Sequence, residues 1–309
     1  MLALLRPELA GRADELRSQF RSNPPFPHLV IDDFLAPEFC ALLQGGFPRY
    51  DASVAINEAG RVGGKAVFQD VANLGPAYAE FDRLIQSGEF LRFLSQATGI
   101  PSLLYDPAYV GGGCHLNLHG QDLETHVDFN YHPQTKTHRR LNLILFLNSD
   151  WHEEWGGCLE LQSDPHGAPE ANQNVKVIPC ANRCVIFETS ERSWHGFERI
   201  DLPEEQRVIG RRTLAVYFYT KDRPKEETAP SHATFYVPRP LPDRFQAGMT
   251  LSEADLHEIR VLLQRRDDMI RFLYGRELEF GRMAESPTFR LAHAMAWPAR
   301  KLRDLLRKQ

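Results

Sequence analysis

His126 and Asp128 stand two positions apart in the stretch Glu124-Thr-His-Val-Asp-Phe-Asn130. Alternate residues of an extended strand share a face, so this imidazole and carboxylate project together while Val127 points away. They would make two-thirds of a facial metal triad. The third donor has to come from a neighbouring strand, and His195 in Ser193-Trp-His-Gly-Phe197 is the best candidate. Two imidazoles and one carboxylate on one face of an octahedron leave three positions for other ligands, a donor set suited to ferrous iron and O2. His-x-Asp alone is a weak signal, since a polar pair on a solvated strand face gives the same pattern.

The elements that must position these residues are short strands. From about residue 103 to 220 the chain reads as brief apolar or alternating runs separated by turn residues: 115–118, 125–129, 141–147, 158–162, 174–178, 183–188, 194–200 and 211–220. Evenly spaced short strands of this kind suggest a sandwich, barrel or jelly roll. There is no βαβ rhythm, phosphate loop or internal repeat. Ahead of them, residues 1–22 read as an amphipathic helix broken near Pro7 and Gly11, and 28–31 as a strand. Pro37 opens a helix to about Leu43, and one helix is expected over 76–98. Residues 47–69, interrupted by glycines, read as a loop or irregular hairpin over the mouth of the fold. Behind the strands come a Pro-punctuated linker, a helix from Ser252 to about Tyr274 stopped by Gly275, and a last helix opened by Ser286-Pro287.

Several blocks then occur in a telling order: His126-Val-Asp-Phe-Asn, Arg140-Leu-Asn-Leu-Ile-Leu-Phe-Leu-Asn148, Trp155-Gly-Gly-Cys-Leu-Glu-Leu161, Phe187-Glu-Thr-Ser190, Ser193-Trp-His-Gly196 and Arg211-Arg-Thr-Leu-Ala-Val-Tyr-Phe-Tyr219. Together they resemble the prolyl 4-hydroxylase-like group of 2-oxoglutarate- and Fe(II)-dependent oxygenases over roughly residues 100–220. The resemblance implies an α+β fold whose core is a double-stranded β-helix (jelly roll), with N-terminal flanking helices and a helical C-terminal extension. It carries the iron-ligand role onto His126, Asp128 and His195. It also places a basic residue on the last core strand to hold the far carboxylate of 2-oxoglutarate. Arg211 lies 16 residues after His195, and Thr213 shares its face. A guanidinium suits a carboxylate because it can donate two parallel, charge-assisted hydrogen bonds. Arg212 points the other way by strand alternation.

Asn117 occupies the position nine residues before His126 where the group often has a cosubstrate-contacting Tyr. Asn142 is a further cosubstrate contact by strand parity. His115, His119 and His138 read as surface or supporting residues, and His132 as one that could touch substrate. The implied activity is hydroxylation of an aliphatic C–H with Fe(II), 2-oxoglutarate and O2, with ascorbate as a stimulant. Asp128 favours hydroxylation, because halogenating relatives replace this carboxylate with a small residue. The substrate classes implied are a prolyl residue or a small amino-acid-like or sugar-containing molecule. A non-catalytic barrel kept as a binding or sensing module is the alternative, disfavoured by the intact set of four residues.

Composition sets outer bounds. The chain has 309 residues, 42% of them hydrophobic and 25% charged, with a net charge of −5. This is an ordinary globular balance without the basic excess of a nucleic-acid binder. Five scattered cysteines fit a reducing compartment better than a disulfide framework, and Cys180-x3-Cys184 reads as core cysteines rather than half a zinc site. With no signal peptide or spanning segment in view, the expected location is cytoplasmic. The expected organisation is 1–99 as helical support, 100–220 as the catalytic core, and 221–309 as linker and C-terminal helices packed on it. The basic tail reads as a docked helix that could instead meet an anionic surface.

Overall fold

The computed structural model describes residues 2–56, 62, 64–242 and 244–291. One compact unit extends through Val237 and a second begins at Pro238. The first unit opens with α1 (Ala13–Ser22), β1 (His28–Ile31) and α2 (Pro37–Gly45), then β2 (Lys65–Phe68), α3 (Pro76–Gln86) and α4 (Gly88–Thr98). The core strands follow: β3 (Leu104–Tyr105), β4 (Gly113–Asn117), β5 (Leu123–Val127), β6 (His138–Phe146), β7 (Leu159–Gln162), β8 (Asn174–Val177), β9 (Cys184–Glu188), β10 (Trp194–Phe197), β11 (Arg211–Thr220) and β12 (Phe235–Tyr236).

Two antiparallel sheets result. The larger runs β1-β9-β6-β11-β4-β2 with β3 paired onto β11, and the smaller runs β12-β5-β10-β7-β8. This is the jelly-roll core with flanking helices. Strand alternation sorts the larger sheet into two faces. Leu141, Leu143 and Leu145 of β6, with Leu214, Val216 and Phe218 of β11, pack with buried residues of the helices, among them Phe20, Phe81 and Phe90. The alternate residues face the smaller sheet. Phe146, Val185 and Phe187 meet Leu159, Leu161 and Val177 there. Burying each such side chain is worth roughly 1.5–3 kcal/mol, so these two apolar layers hold the barrel walls together.

Four expectations change. The single helix over 76–98 is two, because Ser87 turns extended and its hydroxyl accepts from Phe90 N–H as the N-cap of α4. Within 47–69, Lys65–Phe68 forms an edge strand paired with β4, although residues 57–61 and 63 lie outside the described set. The segment after Thr220 is no free linker. Asn130 Nδ2 donates to Pro230 O at 2.8 Å, His232 N donates to Asn130 Oδ1 at 3.0 Å, and Phe235 and Tyr236 pair with Val127 and His126 of β5.

The last change concerns the second unit. There α5 (Glu253–Glu285) starts at Ser252 with a reciprocal capping box to Asp255, as its sequence predicts, but runs through Gly275. A mid-helix glycine costs only about 1 kcal/mol, too little by itself to end a helix. Ser286-Pro287 does. The basic tail from residue 292 lies outside the described residues. Among those described, no helix is long and apolar enough to cross a membrane.

Candidate metal centre

His126 and His195 face each other directly across the β5–β10 ladder, with ring centroids 4.3 Å apart. Asp128 comes immediately after β5, which ends at Val127 rather than Phe129. Its carboxylate lies beside both rings, Oδ1 3.7 Å from His126 Nε2 and Oδ2 3.5 Å from His195 Nε2. One donor atom from each residue lies within 4.8 Å of the others. All three side chains are nearly inaccessible to solvent.

The backbone sets the tautomers. His126 Nδ1 is 2.8 Å from Glu124 O, and His195 Nδ1 is 2.9 Å from Ser193 O. A carbonyl oxygen only accepts, so each ring carries its proton on Nδ1 and turns the Nε2 lone pair into the shared space. That is how metal-ligating histidines are usually held. Charge agrees. Burial, with His195 alongside, pushes His126 down to about 3 against the pull of Asp128. Burial lowers His195 too. Burial raises Asp128, but Arg139 and the two imidazoles outweigh it and hold the carboxyl below its ordinary range. The donor set at neutral pH is two neutral imidazoles and one carboxylate.

Gly196 makes the close approach of β10 to β5 feasible. A Cβ there would meet Leu123 O at 2.6 Å and Thr125 N and Cα at 3.0 Å, all backbone atoms of the strand carrying His126. Gly196→Ala should therefore push the strands apart, lowering stability by about 2 kcal/mol and metal affinity about tenfold. Thermal melting and metal titration check this. Unchanged values for both would mean that the spacing between His195 and His126 does not depend on this glycine.

Arg211 begins β11, opposite Asn117 of β4, while Thr213 lies opposite His115 and Phe146. Cross-strand partners share a face, so Arg211, Thr213, Asn117 and His115 all belong to the inner face. The guanidinium is 4% exposed, its carbon 4.2 Å from the Phe197 ring centre and 5.1 Å from that of Phe146. Nε donates to Gly157 O at 2.6 Å. Gly156 and Gly157, at φ +64° and +67°, supply that carbonyl from a turn other residues rarely adopt. Among the described residues no carboxylate lies within ion-pairing distance of Arg211. Burial lowers it to about 9, so it remains a cation at neutral pH. Arg212 lies near Phe47, and its Nε donates to Ile209 O.

The family model of the 2OG-Fe(II) oxygenase superfamily matches residues 113–228, a span that contains all of these groups. Residues 113–228 belong to that superfamily. Its metal and cosubstrate are Fe(II) and 2-oxoglutarate. Among solved structures, the chain is similar to a prolyl-4-hydroxylase from Pseudomonas putida (17% identity, 69% of this chain and 100% of that one, TM-score 0.43). A Trichoplax adhaerens prolyl hydroxylase in complex with a hypoxia-inducible-factor peptide fragment matches at 15% identity over 71% and 96% of the two chains, TM-score 0.44. The α-ketoglutarate-dependent epimerase SnoN from nogalamycin biosynthesis matches at 16% identity over 68% and 84%, TM-score 0.44. No curated protein matches the chain.

The core places Asn142 and His115 differently from the sequence reading and adds Arg139 and Tyr236, which that reading passed over. Asn142, expected at the cosubstrate, donates its amide to Asp128 Oδ2 at 2.8 Å and accepts Arg139 Nε and Nη2 at 3.0 and 2.8 Å. Arg139, not singled out from sequence, reaches the same oxygen at 3.1 Å. His115, taken for a surface or supporting residue, is buried on the inner face, and its Nε2 has no hydrogen-bond partner among the described residues. Its partnership with Thr213 becomes visible only once β4 and β11 are paired. Tyr236 places its ring 5.1 Å from that of His126. His132 lines a separate cavity of about 470 Å³ with Asp106, Tyr219 and Lys221, and no member of the triad lines it.

Proposed function

We propose that this chain is an Fe(II)- and 2-oxoglutarate-dependent dioxygenase that hydroxylates an aliphatic carbon. In this reading His126, Asp128 and His195 hold the metal, while Arg211 with Thr213 holds the carboxylate of 2-oxoglutarate farthest from it, and Asn117 lies alongside. One observation carries the reading: a nearly inaccessible His–Asp–His cluster shares a barrel with a buried guanidinium that has no acidic partner among the described residues. Burying a charge without a counter-ion is costly unless a ligand supplies one. The fit to a dianionic cosubstrate is chemical as well as spatial, since a guanidinium can grip a carboxylate with charge-assisted bonds.

When bound, Fe(II) with 2-oxoglutarate and O2 would supply the oxidation: one atom of O2 would enter the succinate left after CO2 is lost, and the other would be inserted into the substrate C–H bond. The chain's own residues do the rest. Glu124 O and Ser193 O keep the imidazoles turned with Nε2 inward, Asp128 supplies the single negative charge, and Phe146, Phe187 and Phe197 keep the interior dry. The substrates this reading favours are a prolyl residue in a peptide or a small amino-acid-like or sugar-containing molecule. The catalytic part we infer spans residues 100–220, supported by residues 1–99.

Succinate release tests the proposal. Protein supplied with Fe(II), 2-oxoglutarate and ascorbate should consume the cosubstrate slowly by itself. In a peptide or metabolite extract it should yield a product heavier by one oxygen atom. Folded, iron-loaded protein that never turns over 2-oxoglutarate would leave only a binding module.

A further inference from the structure

Helix α5 carries a repeat that the described residues leave partly uncovered. Leu256, Ile259, Leu263, Ile270, Leu273 and Phe280 fall on a heptad repeat of alternating three- and four-residue steps, the spacing that lines one seam of a coiled coil. The two remaining positions of that repeat are Arg266 and Glu277. All the apolar members except the half-buried Ile259 are between 39% and 57% exposed. A contiguous exposed row of large apolar side chains marks an interaction surface.

The two charges in the seam specify what covers it. Arg266 Nη2 donates to Arg239 O at 3.0 Å, and the ion pairs found along the helix use Arg244, Arg271 and Arg276 instead. Side by side in parallel, two copies of α5 would set Arg266 on Arg266 and Glu277 on Glu277, repulsive at both steps. Laid antiparallel about a two-fold axis between Arg271 and Phe272, they set Arg266 of each copy opposite Glu277 of the other. The same register sets Leu263 opposite Phe280 and Ile270 opposite Leu273. The flanking positions agree: Leu262 meets Met283, Met269 meets Arg276 and Asp267 meets Tyr274, with no like charges opposed. Phe272 and Leu278 lie off this seam.

We propose that α5 is a dimerisation helix, pairing antiparallel with α5 of a second copy of this chain. The apolar steps supply the attraction, over about three and a half heptads from Leu256 to Phe280. The charged steps weaken the seam but fix its orientation and register, because only the antiparallel, two-fold arrangement pairs opposite signs. The dimer is independent of the metal and of 2-oxoglutarate.

Sedimentation equilibrium on the full-length protein tests this. Wild type should reach twice its chain mass of 35.3 kDa, with a Kd on the order of 10 µM. Arg266→Glu should bring two carboxylates together at each charged step and weaken the dimer about a hundredfold or more. Glu277→Arg should do the same with two guanidiniums. Combining both substitutions restores opposite charges in the antiparallel register, so the double variant should return to within about threefold of wild type. In a parallel dimer each reversal merely exchanges one like pair for another, and all four proteins would associate alike. Wild type that stays monomeric above about 100 µM, equal association of all four proteins, or a double variant as weak as the single ones would overturn the proposal. Both residues are exposed, so each variant should keep the wild-type helix content by circular dichroism. Should one single variant fail to fold, the other still decides, since only the antiparallel pairing makes it weaker than wild type.

Discussion

Asp128→Ala should abolish iron-dependent 2-oxoglutarate turnover, by roughly three orders of magnitude or more, and also destabilise the metal-free protein by about 3 kcal/mol. Loss of turnover is expected of any ligand, and His126→Ala and His195→Ala should share it. The loss of stability is particular to Asp128. Its carboxylate is the one acidic partner of Arg139 among the described residues, and that guanidinium is 1% exposed. Removing one member of a buried pair strands the other, which is costlier than the pair itself was favourable. Asn142 Oδ1 and the rings of Tyr217 and Phe129 remain, which puts the cost toward the lower end of the usual range. Asp128→Asn, which keeps an acceptor oxygen in place, should lose turnover yet keep more of the stability. Thermal melts of the metal-free variants separate these effects. Equal melting temperatures for wild type and Asp128→Ala would mean that Arg139 does not depend on this carboxylate.

For Arg211→Met the two effects have opposite signs. Binding of 2-oxoglutarate should weaken by roughly 3 kcal/mol, about a hundredfold or more in Kd, while the metal-free, cosubstrate-free protein should melt higher. The guanidinium is buried against Phe146 and Phe197 with no acid beside it among the described residues, and Gly157 O accepts from its Nε. Such a charge is a burden until an anion arrives, and a thioether of similar length would pack there without that cost. Stability gained where function is lost is the mark of a residue kept for its ligand. Arg212→Met should change neither quantity much, since Arg212 lies near Phe47 and donates to a backbone carbonyl. Calorimetry and thermal melting read the two quantities. An Arg211→Met variant that binds 2-oxoglutarate like wild type would take Arg211 out of the site.

The residues on regular strands were legible without coordinates. Two-residue alternation puts Arg211 and Thr213 on one face and Arg212 on the other, and β11 spans Arg211–Thr220 as its sequence predicts. The order of the blocks from His126 to Tyr219 was sufficient for the jelly roll and for the family, because strand pattern and turn residues are local properties of the chain. What alternation could not foresee was where it breaks. From Asn142, parity places Arg140 on the inner face and Arg139 outside. The β6–β11 register instead slips between Phe218 and Tyr219, so that Leu141 faces Phe218 and Arg139 faces Tyr219. Arg139 therefore turns inward to Asp128, and Arg140 pairs with Glu188 and Glu227. A bulge inserts one residue and exchanges the faces beyond it.

The same limit explains the other surprises. His115 became an inner-face residue, and Tyr236 a neighbour of His126, only through pairings between segments about a hundred residues apart, β4 with β11 and β5 with β12. By itself the sequence determined which residue types were available and which neighbours along the chain share a face. Tertiary structure decided which strands lie side by side and in what register. Those follow from packing and hydrogen bonding summed over the whole barrel, and no short stretch of chain encodes that sum.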